Sequence, residues 1–250
     1  MGLFALAYGV IVYAAFFAAF LYLIVFVGGD ALGAFLALPK TVDAGASPVP
    51  AGYGVLVNIA LLLAFGLQHT IMARQSFKRV WTRIVPKSAE RSTFVLATTA
   101  VLIALFYYWT PLPAIVWQVE SPLWTAVLMA LFASGWALVL LSTFLINHFE
   151  LFGLAQVWRA FQKQEAPAPR FMTPMLYNGV RHPLYLGFLI AFWSTPTMTA
   201  GHLLFAAIWS AYIFVAIGYE ERDLVRLFGD RYRQYQARVP MILPFGRAND

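Results

Sequence analysis

The sequence predicts an all-α integral membrane protein: a bundle of about six transmembrane helices with a cytoplasmic C-terminal amphipathic helix. Three observations carry this. Of the 250 residues, 61% are apolar and only 11% charged, against roughly 45–50% and about 25% in soluble domains. Apolar runs of about 20 residues recur, the length needed to cross the hydrocarbon of a bilayer. Every Lys and Arg except Lys40 falls in one of three segments: 74–91, 147–182 and the tail after Tyr219.

The expected spans are 3–27, 53–73, 92–110, 123–146, 183–199 and 202–220. The runs are continuously apolar rather than alternating, which favours helices over the strands of a barrel. The first lacks a basic flank and exceeds a signal-peptide core in length, so it reads as a retained helix. The fifth is short and ends at Pro196, predicting a tight hairpin into the sixth. With six spans, all three basic segments share one face. The excess of Lys and Arg makes that face, and both termini, cytoplasmic. The 29–52 connection reads as an irregular or surface-lying external loop, and 110–122 as a short external loop with an interfacial Trp117. No repeat or boundary appears, so 1–250 reads as one domain.

The charge and cysteine counts exclude several functions. The net charge of +6 is placed for anionic lipid headgroups, so membrane lipids and not nucleic acid are the expected partner. No protein partner is evident. The chain has no cysteine, which excludes disulfides, thiolate metal sites and a cysteine nucleophile. No histidine spacing matches a metal signature.

Polar groups near membrane depth are costly and mark candidate sites. His69 lies in Gln68-His69-Thr70, His148 in Asn147-His148-Phe149-Glu150, and His182 in Arg181-His182-Pro183. All three are on the cytoplasmic face. Each alone could be an interfacial histidine bonded to a carbonyl; together they suggest a shared site. His202, on the opposite face, is expected to take no part. Glu220-Glu221 continue the sixth span into Arg222-Asp223-Leu224, either as a solvated amphipathic helix or as a clamp for an amine-bearing molecule. The run from Tyr177 through Gly179, Val180, Arg181, His182, Pro183, Tyr185 and Leu186 to Gly187 reads as a second element. Gly179 suggests close approach or an unusual φ. Pro183 suits a first helical turn whose free N–H groups could receive an anion.

The Arg181-His182-Pro183-Leu184-Tyr185 element, followed by Glu220-Glu221, Leu224, Phe228-Gly229, Tyr232 and Tyr235, resembles the isoprenylcysteine carboxyl methyltransferase-like family over about 177–244. The segments around His69 and His148 are similar to bacterial methanethiol S-methyltransferases and to NnrU-type membrane proteins, over nearly the whole chain. The resemblance implies a bacterial cytoplasmic membrane protein. It would transfer a methyl group from S-adenosylmethionine to methanethiol, giving dimethyl sulfide and S-adenosylhomocysteine. It places Val180, Arg181, His182, Tyr185, Leu186, Glu220 and Glu221 in the cofactor pocket. On this reading His148 or His69 is the base that ionises the thiol, and Asn147 and Phe149 are substrate-binding. Two alternatives stay open: another thiol, isoprenoid or lipid acceptor, or a non-enzymatic protein with haem held by His69 and His148.

Overall fold

A long apolar run in lipid has no partner for its backbone except itself, and helices follow. The computed structural model describes residues 2–37, 39–168 and 170–244; Arg247 of the basic tail lies outside them. In chain order the elements are α1 (Gly2–Val27), α2 (Gly29–Phe35), α3 (Gly54–Ala73), α4 (Gln75–Trp81), α5 (Lys87–Tyr108) and β1 (Ile115–Gln118). They continue with α6 (Pro122–Ile146), α7 (His148–Leu151), α8 (Leu154–Gln162), α9 (Pro183–Trp193), β2 (Thr197–Thr199), α10 (Ala200–Phe228) and α11 (Asp230–Arg238).

Among the described residues, α1, α3, α5, α6 and α10 are long and apolar enough to cross a membrane. The fifth expected span differs. Its helix, α9, has 11 residues, about 16 Å at 1.5 Å per residue and roughly half the hydrocarbon thickness. Pro196 cannot donate and pushes Thr195 out of the helical region. The chain therefore leaves the helix and enters β2, which pairs antiparallel with β1. The 110–122 connection thus contains a strand where a plain loop was expected.

The contacts divide the chain into two compact units, each interleaved in sequence, which is why no boundary shows along the chain. The first gathers α1–α5, β1, α7, α8, β2 and the start of α10. The second gathers α6, the segment leading into α9, α9 itself, the remainder of α10, and α11.

At one end of the first unit an aromatic cluster closes the helices. Trp109 and Phe26 stand edge to face at 6.0 Å, and Trp109 and Phe205 at 5.8 Å. The connection expected to lie on the surface instead dips inward here. Thr41, Val42 and Asp43 are buried, because Val42 N–H donates to Phe26 O at 2.9 Å and Trp109 Nε1 donates to Val42 O at 2.9 Å. Asn58, buried on α3, satisfies both backbone groups of Thr110: it donates to the carbonyl at 2.7 Å and accepts from the N–H at 2.9 Å. At the other end α8 folds back onto α1 and α5. Gly153, at φ +91°, turns the chain there, and a Cβ on it would meet Ser92 N at 2.8 Å.

In the second unit α6 packs against α9 through small residues, as lipid-embedded helices do. A Cβ on Gly187 would sit 2.7 Å from Gly135 O and 2.9 Å from Val139 N, and one on Gly135 would sit 2.7 Å from Gly187 O. These obstacles are backbone and cannot swing aside. Gly187→Leu is therefore expected to separate the two helices, at a cost of about 1–3 kcal/mol. A lowered thermal midpoint in detergent, read by intrinsic tryptophan fluorescence, checks this.

Candidate active site

The second unit builds a charged cluster from three stretches distant in sequence. After Pro174 the chain makes a 3-10 turn, Met175–Asn178, and runs into the arginine–histidine–proline element. Arg181 N–H donates to Pro240 O at 2.9 Å and His182 N–H to Met241 O at 3.1 Å, so this element is laced to the chain beyond α11. Pro183 occupies the first turn of α9 as its missing donor allows. Gly179 has φ −92° in the ordinary helical region, and a Cβ there would meet only Leu176 O at 3.5 Å. The expected unusual backbone at this glycine is not found.

Glu221 is the hub. Its Oε1 accepts from Arg181 Nε at 2.7 Å and from His182 Nε2 at 3.0 Å, and its Oε2 accepts from Gln236 Nε2 at 2.9 Å. Arg181 Nη1 donates to Gln236 O at 3.0 Å and Val239 O at 2.6 Å, closing the C-terminal end of α11. Four of the five guanidinium and carboxylate positions in this pair are thus committed inside the protein, leaving Nη2. Glu220 contrasts with its neighbour. It is exposed, and among the described residues only its Oε2 is engaged, by the Tyr185 hydroxyl at 3.0 Å.

Helix α11 is amphipathic, as expected, but its aromatic face is turned inward rather than laid on lipid. Tyr232 and Tyr235 are buried against Phe171, with ring centroids at 5.9 and 5.5 Å, and the Tyr235 hydroxyl donates to Tyr177 O. Burial pushes the Tyr235 phenol up to about 12 and raises that of Tyr177 further. Both remain neutral hydrogen-bonding groups at any working pH. The Tyr177 hydroxyl and Ser142 Oγ are buried without a hydrogen-bond partner among the described residues. Ser142 lies near enough to act on the Tyr177 ionisation, as does Glu220, but not in hydrogen-bonding geometry. Val180 is buried and packs as core, and Leu186 closes the first turn of α9 by donating to His182 O at 3.1 Å.

The first unit holds the other two candidate histidines. Asn147 caps α7, accepting Glu150 N–H at 3.2 Å, so it is occupied locally, while Phe149 is exposed beside it. His148 is 4% exposed. Its Nε2 meets the Tyr13 hydroxyl at 2.7 Å, and Phe152 stands edge-on at 4.8 Å. Burial lowers its pKa, so the imidazole is neutral at pH 7. His69 stacks on Phe65 at 5.4 Å and faces Phe94 at 4.8 Å, and its Nδ1 is buried without a partner. The wall around them is fixed by charge. Arg159 forks onto Glu150 at 2.7 and 2.8 Å, and Arg91 Nε donates to Leu151 O at 2.6 Å.

The structure thus joins Arg181, His182, Tyr185, Glu220 and Glu221 in the second unit and sets His69 and His148 in the first. His202 is in neither cluster. It is buried with Asp43, Nδ1 to Oδ2 3.3 Å, while Thr199 donates to the other Asp43 oxygen at 2.6 Å. The sequence reading missed Gln236, which carries no motif, and Tyr13, a polar residue among apolar ones whose partner is 135 positions away; it named Tyr177 as the start of its element but gave it no role.

These features define an integral membrane protein whose last long helix carries a clamped acidic pair. No family model matches the chain, and no solved structure does. Methanethiol S-methyltransferase 1 of Bradyrhizobium diazoefficiens is 51% identical over 98% of this chain and 83% of its own length. The methanethiol S-methyltransferase of Mycobacterium tuberculosis is 50% identical over 95% of each chain. That of Pseudomonas deceptionensis is 49% identical over 85% of this chain and 80% of its own. The chain belongs to the methanethiol S-methyltransferase family and is a methyltransferase.

The hub makes a separable prediction. Glu221→Gln leaves Arg181 facing a neutral amide, and hydrogen bonds to a charged group are worth about 1.5–3 kcal/mol. Its thermal midpoint in detergent should fall. Glu220→Gln, at an exposed carboxylate with one partner, should unfold with the wild type.

Proposed function

We propose that this chain methylates methanethiol with S-adenosylmethionine, giving dimethyl sulfide and S-adenosylhomocysteine, at the cytoplasmic membrane. The observation that carries the reading is the asymmetry of the acidic pair in a chain about half identical to named methanethiol S-methyltransferases. Glu221 is consumed by Arg181, His182 and Gln236, while Glu220 keeps Oε1 available.

The donor set fits such a methyl donor. Glu220 would take its amine or ribose hydroxyls, Arg181 Nη2 its carboxylate, and the buried Ser142 and Tyr177 hydroxyls have polar capacity that the protein itself does not use. Tyr185, held by Glu220, would present its ring to positive charge. When bound, S-adenosylmethionine supplies a methyl group on a sulfonium. The protein's part is to align the acceptor, exclude water and remove the thiol proton. His148 is the candidate base, neutral at pH 7 and enclosed by rings. The sidedness supports a cytoplasmic site: in the first unit the basic 74–91 segment lies at the end where α8 folds back, and Lys40 at the end closed by Trp109.

Purified protein with methanethiol and S-adenosylmethionine should release dimethyl sulfide, measured in the headspace. Absence of product under all conditions would sink the reading. Glu220→Gln should raise KM for S-adenosylmethionine about tenfold or more, the equivalent of one charged hydrogen bond, without a fall in thermal midpoint. His148→Ala should lose about 100-fold at pH 7, where a general base is needed, and much less at pH 9.5, where the thiol ionises unaided. An equal loss at both would make His148 structural.

A further inference from the structure

The imidazole proposed as base is hard to reach. It is 4% exposed, bordered by Phe149 and Phe152 at 5.5 and 4.8 Å, and its Nε2 is met at 2.7 Å by the Tyr13 hydroxyl. Tyr13 itself is only half-buried. Of the two groups, the phenol is the one a small acceptor can approach. A phenol is also both donor and acceptor, so it can pass one proton on while taking another.

Resting on the methyl-transfer reading, we propose that Tyr13 is a catalytic residue that relays the acceptor thiol's proton to His148. The thiol S–H bond breaks and its proton goes to Tyr13 Oη. The phenol O–H bond breaks and its proton goes to His148 Nε2. The products are a thiolate, an intact tyrosine and an imidazolium, so atoms and charge balance without any further reactant. For this, Tyr13 donates to Nε2 in the resting protein and Nδ1 carries the ring proton. Once the methyl group has been transferred, the imidazolium returns its proton to solvent by the reverse path.

The other ionisable groups on the elements around His148 are engaged away from its Nε2 or set among aromatic rings. On α1, the Tyr8 hydroxyl is bonded to Thr93 Oγ1 at 3.0 Å. On α5, Glu90 faces Lys78 at 3.6 Å and Arg91 holds Leu151 O. On α7 and α8, Glu150 and Arg159 neutralise each other. His69 on α3 lies among Phe65 and Phe94. Tyr13 is thus the ionisable side chain shown in contact with His148 Nε2, at 2.7 Å.

The test compares wild type, Tyr13→Phe, His148→Gln and the double variant as full-length protein in detergent, from pH 6.5 to 9.5, by headspace dimethyl sulfide. Tyr13→Phe keeps the ring and its packing, so the fold is retained; a thermal scan checks that. The expected loss in kcat/KM for methanethiol is about 10- to 100-fold at pH 7, shrinking toward wild type by pH 9.5. KM for S-adenosylmethionine should stay within about twofold, and the double variant should be no worse than the poorer single one, because a relay broken twice is broken once. Wild-type rates in Tyr13→Phe at pH 7, a loss independent of pH, or multiplicative losses in the double variant would each overturn the relay while leaving methyl transfer standing. Failure of the wild type itself to make dimethyl sulfide would overturn both.

Discussion

The second unit depends on one carboxylate. Glu221 sits largely out of water at the end of α10, and a lone buried charge costs several kcal/mol. It is tolerated because three donors converge on it: a guanidinium, an imidazole and an amide. The donors come from two stretches far from Glu221 in sequence, so satisfying the charge also fixes the chain. Arg181 and His182 orient the start of α9, and Gln236 and the Arg181 bonds to the carbonyls of Gln236 and Val239 pin α11. Removing the charge removes the reason for these segments to meet. The identity of the residue one position earlier then matters differently. Glu220, on the same helix but turned toward water, is positioned by this scaffold without being consumed by it.

The first unit solves a similar problem with a similar device. A short helix, α8, folds back after a span, as α11 does, and an arginine–glutamate fork holds it. Arg159 reaches both oxygens of Glu150, whose side chain is also bonded by Gln156 at 3.0 Å. The planar guanidinium suits this role because two parallel bonds define an orientation that a lysine could not. The apolar side of α8, with Val157 fully buried, seals against α1 and α5, and Gly9 on α1 is tolerant of this only because it lacks a side chain: a Cβ there would lie 2.6 Å from Val157. The polar residues around His148 thus form a rigid wall.

Much of this was legible in the sequence for a physical reason: hydropathy acts locally, so five spans appear nearly where the apolar runs lie. The arginine–histidine–proline and double-glutamate elements were legible because the same residues both join and line the cluster. What was hidden depended on distant partners. Thr41 to Asp43 look like a polar loop and are buried because Trp109 and Phe26 use their backbone. Asn58 looks like an oddity in an apolar helix until Thr110 appears beside it. Gly179 misled because glycine permits an unusual φ without requiring one. The last third of the expected fifth span, 194–199, is rich in Ser and Thr and broken by Pro196, and pairing with β1 takes it into a strand. Which glutamate would be structural could not be read from two adjacent letters, since it rests on a 40-residue contact with Arg181.

The placement of the first-unit histidine bears on why such chemistry belongs in an apolar wall at all. Burial lowers the pKa of His148, which makes it a weaker base but keeps it neutral and ready at pH 7. Ionising a thiol against it creates opposite charges, and a low-dielectric setting penalises each. The penalty is offset only if the charges stay close. A hydrogen bond on each side of a phenol, 2.7 Å to His148 and a longer, bent one to sulfur, would hold them about 5–6 Å apart, where attraction at an effective dielectric of about 20 is worth about 3 kcal/mol. In open water the same pair would gain a fraction of that. Moving a methyl group from a sulfonium to a thiolate annihilates charge, and charge annihilation is easiest where water does not stabilise the separated ions, so the proposed chemistry would gain from an enclosed setting. On the proposed mechanism, the aromatic wall that lowers the basicity of His148 would be the same feature that makes the thiolate reactive.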